Sequence, residues 1–283
     1  SPLEKPILIE GPPGVGKTEL ANTAALYFKK EMIRLQCYEG LDESKALYEW
    51  RYGKQLLYTQ ILKEQMQEVL EGAKGLKESL DRLMKFEDIF FSEDFLETRP
   101  LLEALTSEKG SVLLIDEVDK SDEEFEALLL EILSEFQISI PELGVRKADV
   151  KPLVVLTSNN SREIGDALKR RCLHLYIPFP DAKLERQIVQ ARVPEISESM
   201  QIQLVNFVQG IRELDLKKLP AISETIDWAK TVILLNSEEL DAKLAEDTLN
   251  VLLKHQQDIE VVKKEIPALV SSATETSDGK SLN

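Results

Sequence analysis

Residues 11–18 read Gly-Pro-Pro-Gly-Val-Gly-Lys-Thr, directly after the apolar run Pro6-Ile7-Leu8-Ile9-Glu10 and before the helix-like Glu19-Leu20-Ala21-Asn22-Thr23-Ala24-Ala25-Leu26. This is G-x-x-x-x-G-K-T between a strand and a helix, the setting in which the motif cradles phosphate. Its glycines let the loop turn tightly with several backbone N–H groups facing inward, and the following helix adds its free N-terminal donors. Gly11, Pro12, Pro13, Gly14, Val15, Gly16, Lys17, Thr18 and Glu19 therefore form the expected nucleotide-binding stretch. Within it Lys17 can reach the β/γ-phosphates, and Thr18 can place a hydroxyl on Mg²⁺. A nucleoside triphosphate is the expected ligand.

Four more strand candidates follow: Arg34-Leu35-Gln36-Cys37, Ser111-Val112-Leu113-Leu114-Ile115-Asp116, Leu153-Val154-Val155-Leu156-Thr157 and Leu173-His174-Leu175-Tyr176-Ile177. The second and third are near-continuous apolar runs, as expected of strands buried on both faces. Helical stretches lie between the strands, so residues 1–178 read as an α/β domain on a parallel five-stranded sheet. From Asp181 the pattern is helical only, over 181–192, 197–211, 220–236 and 237–266, and residues 179–270 read as a second, all-helical domain. The last stretch is one long helix or a pair, with Pro267 helping to close it. Residues 271–283, rich in Ser and Thr, read as a disordered tail or an expression remnant. Residues 41–97 exceed what a βαβ crossover needs and read as inserted helical material, with helices over 46–71 and around 77–90. Tyr48, Trp50, Tyr52 and Tyr58 there either form a partner surface or pack the inserted helices together.

Two acidic signals mark a reaction centre. Asp116 and Glu117 end an apolar strand, at the sheet edge where α/β proteins bind ligands. Beside a phosphate loop, Asp116 is expected to hold Mg²⁺ and Glu117 to face the water attacking the γ-phosphate. Asn159 follows the next apolar strand, where its amide can orient that water or touch the γ-phosphate; Asn160 reads as a turn residue. Asp119, Asp122, Glu123, Glu124 and Glu126 read as a solvated helix start. Arg170 and Arg171 either reach a neighbouring subunit's nucleotide or form a solvated basic cap.

The 283-residue chain carries a formal charge of −16, which opposes unspecific attraction to nucleic acid and acidic membranes. No stretch approaches the length of a membrane-spanning helix, and the first residues lack the pattern of a signal peptide. Cys37, Cys172, His174 and His255 offer no metal-ligand set, and the cytoplasm is the expected location. The abrupt start before the first strand suggests a natural N-terminal segment ahead of Ser1.

The order of phosphate loop, Asp116-Glu117, Asn159, Arg170-Arg171 and helical C-terminal domain resembles AAA+ ATPases over roughly residues 5–270. That resemblance implies ATP and Mg²⁺ as ligands, a ring, typically hexameric, with ATP at subunit boundaries, and a helical lid. It makes Lys17 and Thr18 the Walker A residues, Asp116 and Glu117 the Walker B pair, Asn159 sensor 1 and Arg171 the arginine finger, with Arg170 the close alternative. For the lid's sensor 2, Lys218 is the nearest basic residue, with Lys217 or Arg212 behind it. Within AAA+, the chain resembles the MoxR group and its CoxD-like branch. The resemblance rests on Leu8–Ala21, on Arg34-Leu35-Gln36-Cys37-Tyr38-Glu39-Gly40-Leu41-Asp42 and on Ala46-Leu47-Tyr48-Glu49-Trp50. The helical insertion matches the helix-2-insert clade to which MoxR proteins belong.

The resemblance implies a chaperone-like motor that remodels a protein client, with a partner carrying a von Willebrand factor A-type (VWA) domain. For the CoxD-like branch, the client is a metalloenzyme whose molybdenum- and copper-containing site is matured. Two alternatives stand beside this reading: a nucleic-acid motor, which the charge opposes, and a nucleotide-dependent switch with little turnover, which the Asp116-Glu117 pair opposes.

Overall fold

Five short strands, each followed or preceded by helix, assemble the first part of the chain. The computed structural model describes residues 5–61, 92–141, 143–237 and 239–278. They divide into two compact units, one of residues 5–10 with 17–176 and one of residues 11–16 with 177–278.

In the first unit, β1 (Ile7–Glu10), β2 (Glu31–Gln36), β5 (Ser111–Asp116), β8 (Leu153–Ser158) and β9 (Leu173–Tyr176) form one sheet in the order β2-β5-β8-β1-β9. Every pairing is parallel, with Gln36 opposite Asp116, Ile115 opposite Leu156 and Glu10 opposite Ser158. All six residues of β5 are buried, which its apolar composition and central position require. Helices α1 (Lys17–Phe28), α4 (Pro100–Thr106), α5 (Glu123–Glu135) and α6 (Asp166–Arg171) belong to the same unit. Leu8, Leu35, Leu113, Ile115 and Leu156 of the sheet share one core with Leu101, Leu102, Leu129 and Ile132 of α4 and α5.

The insertion differs from its helical reading. After a single turn, α2 (Glu43–Ala46), residues Tyr48–Trp50 form β3, which pairs antiparallel with β4 (Leu96–Thr98). Helix α3 begins only at Tyr52 and is described to Ile61. The aromatic group splits accordingly. Trp50 is buried in the core and Tyr48 packs against it, whereas Tyr52 and Tyr58 are exposed. The expected helix around 77–90 lies outside the described residues. A second hairpin, β6 (Gln137–Ile140) with β7 (Gly144–Lys147), follows α5.

The second unit holds five helices: α7 (Ala182–Arg192), α8 (Glu198–Arg212), α9 (Ile222–Leu234), α10 (Ala242–Leu252) and α11 (Gln256–Asp278). Asp181, Ser197 and Asp241 cap three of them, each side chain accepting from the backbone N–H three residues on. Trp228 is fully buried beside Phe207, and its indole N–H donates to Thr248 at 2.7 Å. The stretch 237–266 is thus a pair of helices. Pro267 does not close the second: α11 runs through it to Asp278, so residues 271–278 are helix rather than tail. Val262, Ile266 and Ala273 are buried in the helical core on both sides of the proline, and this packing outweighs its lost backbone hydrogen bond. No described helix is long and apolar enough to cross a membrane.

Candidate nucleotide site

The loop between β1 and α1 has its shape imposed by space. A Cβ at Gly11 would stand 2.1 Å from the Ile177 carbonyl oxygen. At Gly14, where φ is +73°, it would stand 2.4 Å from Ala221 Cβ and 3.1 Å from Ser223 Oγ at the start of α9. Glycine is therefore required at both positions. Val15 is buried, Pro12 half-buried and Pro13 exposed. Glu19 lies exposed in the first turn of α1, where it accepts from Asn22 at 3.2 Å.

Lys17 opens α1 and is only 6% exposed. Burial lowers its pKa, and the nearby carboxylates of Asp119, Asp116 and Glu117 partly offset that shift. One residue on, the Thr18 hydroxyl lies 3.3 and 3.4 Å from the two Asp116 carboxylate oxygens. Asp116 itself is buried. Its Oδ1 accepts from the Thr157 hydroxyl at 2.5 Å, and its Oδ2 accepts from Arg34 at 2.5 Å.

Glu117 follows with φ +57°, a left-handed conformation uncommon for a residue with a side chain. Its N–H donates to the Thr157 hydroxyl at 2.9 Å. Three donors meet its carboxylate: Asn159 Nδ2 at 3.0 Å on Oε1, and Gln36 Nε2 at 2.8 Å and Lys120 Nζ at 2.5 Å on Oε2. The structure thus brings Lys17, Thr18, Asp116, Glu117 and Asn159 together, drawn from α1 and the ends of β5 and β8.

Asp119 corrects the reading of a solvated acidic run. It is 3% exposed and accepts from the Asn159 N–H at 3.2 Å and from the Ser161 N–H and hydroxyl at 2.9 and 2.5 Å. Burial pushes its pKa up, but these hydrogen bonds outweigh burial and hold it below the usual aspartate value. Glu126 is also buried, paired with Arg162 and accepting from the Gly165 N–H at 2.9 Å. Asp122 caps α5 through the Phe125 N–H, and Glu123 and Glu124 are exposed, as expected of a helix start.

The arginines lie elsewhere. Arg170 and Arg171 end α6 and directly precede β9, so they stand at the edge where the parallel strands begin. Asp116, Glu117 and Asn159 stand at the edge where strands end. Both arginines are exposed, and Arg171 donates to Ser134 Oγ at 3.0 Å. In the helical unit, Lys217 and Lys218 are exposed, and their backbone N–H groups donate to the buried Asp258. Arg212 is not available to a ligand. It is buried against Glu185 with two bonds of 2.6 and 2.8 Å, and it donates to the Pro220 carbonyl.

Sequence reasoning missed Arg34, Gln36, Thr157, Lys120 and Asp119 as members of the site. A signal existed for the first two: they alternate with buried Ile33 and Leu35 on β2, which puts both on one face, pointing toward the end of β5. The residues present fit ATP with Mg²⁺. Lys17 supplies a cation, and a hydroxyl beside a buried carboxylate is the hard oxygen set that Mg²⁺ takes.

The family model described as AAA domain (dynein-related subfamily) matches residues 6–172. A curated relative, the gas vesicle ATPase GvpN of Haloferax mediterranei, is 26% identical over 221 residues, covering 74% of this chain. The chain spans 57% of that relative's length. Among solved structures, a lysine-to-arginine point mutant of Thermotoga maritima RuvB superposes with a TM-score of 0.52 at 17% identity, over 96% of this chain and 77% of that one. A proline-to-glycine point mutant of the same protein gives 0.50 at 16% identity, over 95% and 74%. These two show the shared fold. The chain belongs to the AAA domain family, dynein-related subfamily.

Proposed function

We propose that this chain hydrolyses ATP to remodel a protein client, as a MoxR-type member of its family. The observation that carries the hydrolytic part is the contact of Asn159 with Glu117 beside the Thr18–Asp116 pair. Lys17 neutralises the β/γ-phosphates, and its low-dielectric setting strengthens that attraction. Thr18 and Asp116 would hold Mg²⁺, which when bound draws charge from the phosphate oxygens. Glu117 accepts a proton from the water that attacks the γ-phosphorus; the bond to the bridging oxygen breaks and ADP leaves with inorganic phosphate. Asn159 holds Glu117 Oε1 and thereby fixes the direction of the other oxygen.

Arg171, or Arg170 beside it, completes the site of another copy. The position of both arginines at the opposite sheet edge from Glu117 supports action in trans, and such action calls for a closed head-to-tail assembly, here a hexameric ring. Lys218 is the proposed lid cation. The client-remodelling role, the VWA-domain partner and the CoxD-like placement rest on the motifs around Arg34–Asp42 and Ala46–Trp50. The test is ATP turnover with and without a purified VWA-domain protein or DNA. Stimulation by the VWA protein alone is the expected result; stimulation by DNA alone would overturn the client reading in favour of a nucleic-acid motor.

A further inference from the structure

Arg34 lies on β2, outside the phosphate loop and the Asp116-Glu117 pair, yet it touches the site at two points. Its Nη2 donates to Asp116 Oδ2 at 2.5 Å and to Gln36 Oε1 at 2.7 Å. That nitrogen carries two hydrogens, so both bonds form at once. With the Gln36 carbonyl turned to Arg34, the amide nitrogen faces the other way and donates to Glu117 Oε2 at 2.8 Å. The reverse orientation would set NH₂ against guanidinium and carbonyl against carboxylate, two repulsive contacts in place of two hydrogen bonds.

The strand explains why this relay exists. Arg34 and Gln36 are two residues apart on one face of β2, and Gln36 is in register with Asp116. The long Arg34 side chain therefore spans two positions along the strand to the carboxylate of Asp116, opposite Gln36, while the shorter amide reaches Glu117. The result is an unbroken chain, Asp116–Arg34–Gln36–Glu117, joining the carboxylate at Thr18 to the carboxylate at Asn159. The Arg34 side chain is half-exposed, so folding of the core does not require it.

We propose that Arg34 is a positioning residue for hydrolysis: it fixes the Gln36 amide so that Gln36 holds Glu117 in line, and it does so while anchored on Asp116. This inference rests on the hydrolytic role proposed above for Glu117. Arg34 acts on Glu117 through Gln36. Lysine in its place supplies a cation to Asp116 but lacks the planar fork that sets the direction of both bonds.

The experiment compares wild type, Arg34→Ala, Arg34→Lys, Gln36→Ala and the Arg34→Ala/Gln36→Ala double variant for kcat, KM for ATP and thermal midpoint. The Gln36 side-chain amide is followed by ¹⁵N NMR in the protein without nucleotide, assigned by its loss in Gln36→Ala. Arg34→Ala is expected to lower kcat by on the order of ten- to a hundredfold, with KM and thermal midpoint close to wild type. Arg34→Lys should recover part of that loss. The double variant should be no slower than Gln36→Ala alone, because the two residues act in series. The Gln36 amide signal should move on removal of Arg34. A kcat equal to wild type, additive losses in the double variant, or an unmoved amide signal would each overturn the proposal. Absence of turnover in the wild type would instead count against the hydrolytic reading, while the NMR arm would still judge the Arg34–Gln36 contact.

Discussion

The side-chain amide of Asn159 donates to Oε1 of Glu117 at 3.0 Å, tying the ends of neighbouring strands β8 and β5 across 42 residues of sequence. Glu117 departs from β5 in a left-handed conformation, so its backbone alone does not aim the carboxylate. Asn159 supplies one of the contacts that do. Asn159→Ala should therefore lower kcat by about ten- to a hundredfold with little change in KM. Asn159→Asp, which sets a second carboxylate against Glu117, should be slower still. Steady-state kinetics of the two variants check the order.

Asp119 holds the loop that carries Asn159. Asp119→Ala would leave the Asn159 and Ser161 N–H groups without their acceptor, at a cost of about 2 kcal/mol. Loss of turnover should accompany the lowered thermal midpoint. Because hydrogen bonds hold this carboxyl below the usual aspartate range, its contribution is fully present above about pH 4 and is lost as pH falls through the lowered folded value. Acid unfolding of wild type and Asp119→Asn, followed by circular dichroism, should show the variant less sensitive in that window.

In the helical unit, Arg212 and Glu185 form a buried two-bond pair that Thr225 and Gln209 extend. Arg212→Ala would leave the Glu185 charge buried without its partner, and about 3–5 kcal/mol of destabilisation is expected. Calorimetry should show the midpoint falling by roughly 10 °C. Replacing both Arg212 and Glu185 with apolar residues should cost less than the single change.

Much of this organisation was legible in the chain. β5 and β8 announce themselves because strands covered on both faces need unbroken apolar runs; Lys17 and Thr18 stand where the glycine-rich motif enters a helix, and Asp116, Glu117 and Asn159 each adjoin a recognisable strand end. What escaped depended on distant partners. Tyr48–Trp50 is a strand only because Leu96–Thr98 lies beside it, and three residues carry no period of their own. Asp119 and Glu126 look like surface charges until Ser161, Arg162 and Gly165, roughly 40 positions later, supply their hydrogen bonds. Pro267 reads as a stop, and only the burial of Ile266 and Ala273 explains why the helix continues.

Both cysteines are buried free thiols, Cys37 at the end of β2 and Cys172 before β9. Burial pushes Cys37 up to about 12, with Asp116, Asp119 and Glu117 adding to the shift, and burial alone pushes Cys172 up to about 11. The folded protein therefore keeps protons that the unfolded chain releases above about pH 8.5, and stability should fall as pH rises from there. Thiol reagents at pH 8 should label neither residue in the native state and both in denaturant. Fast native labelling of Cys37 would contradict its placement.

The most direct measurement is Mg²⁺-dependent ATP hydrolysis by wild type and Glu117→Gln, with oligomer mass recorded in the same samples with and without ATP. The account predicts turnover by the wild type, a loss of at least about a hundredfold in Glu117→Gln, and an ATP-bound assembly that persists in the variant. Equal turnover by the two proteins, or none by a wild type that binds ATP and assembles, would contradict the role given to Glu117.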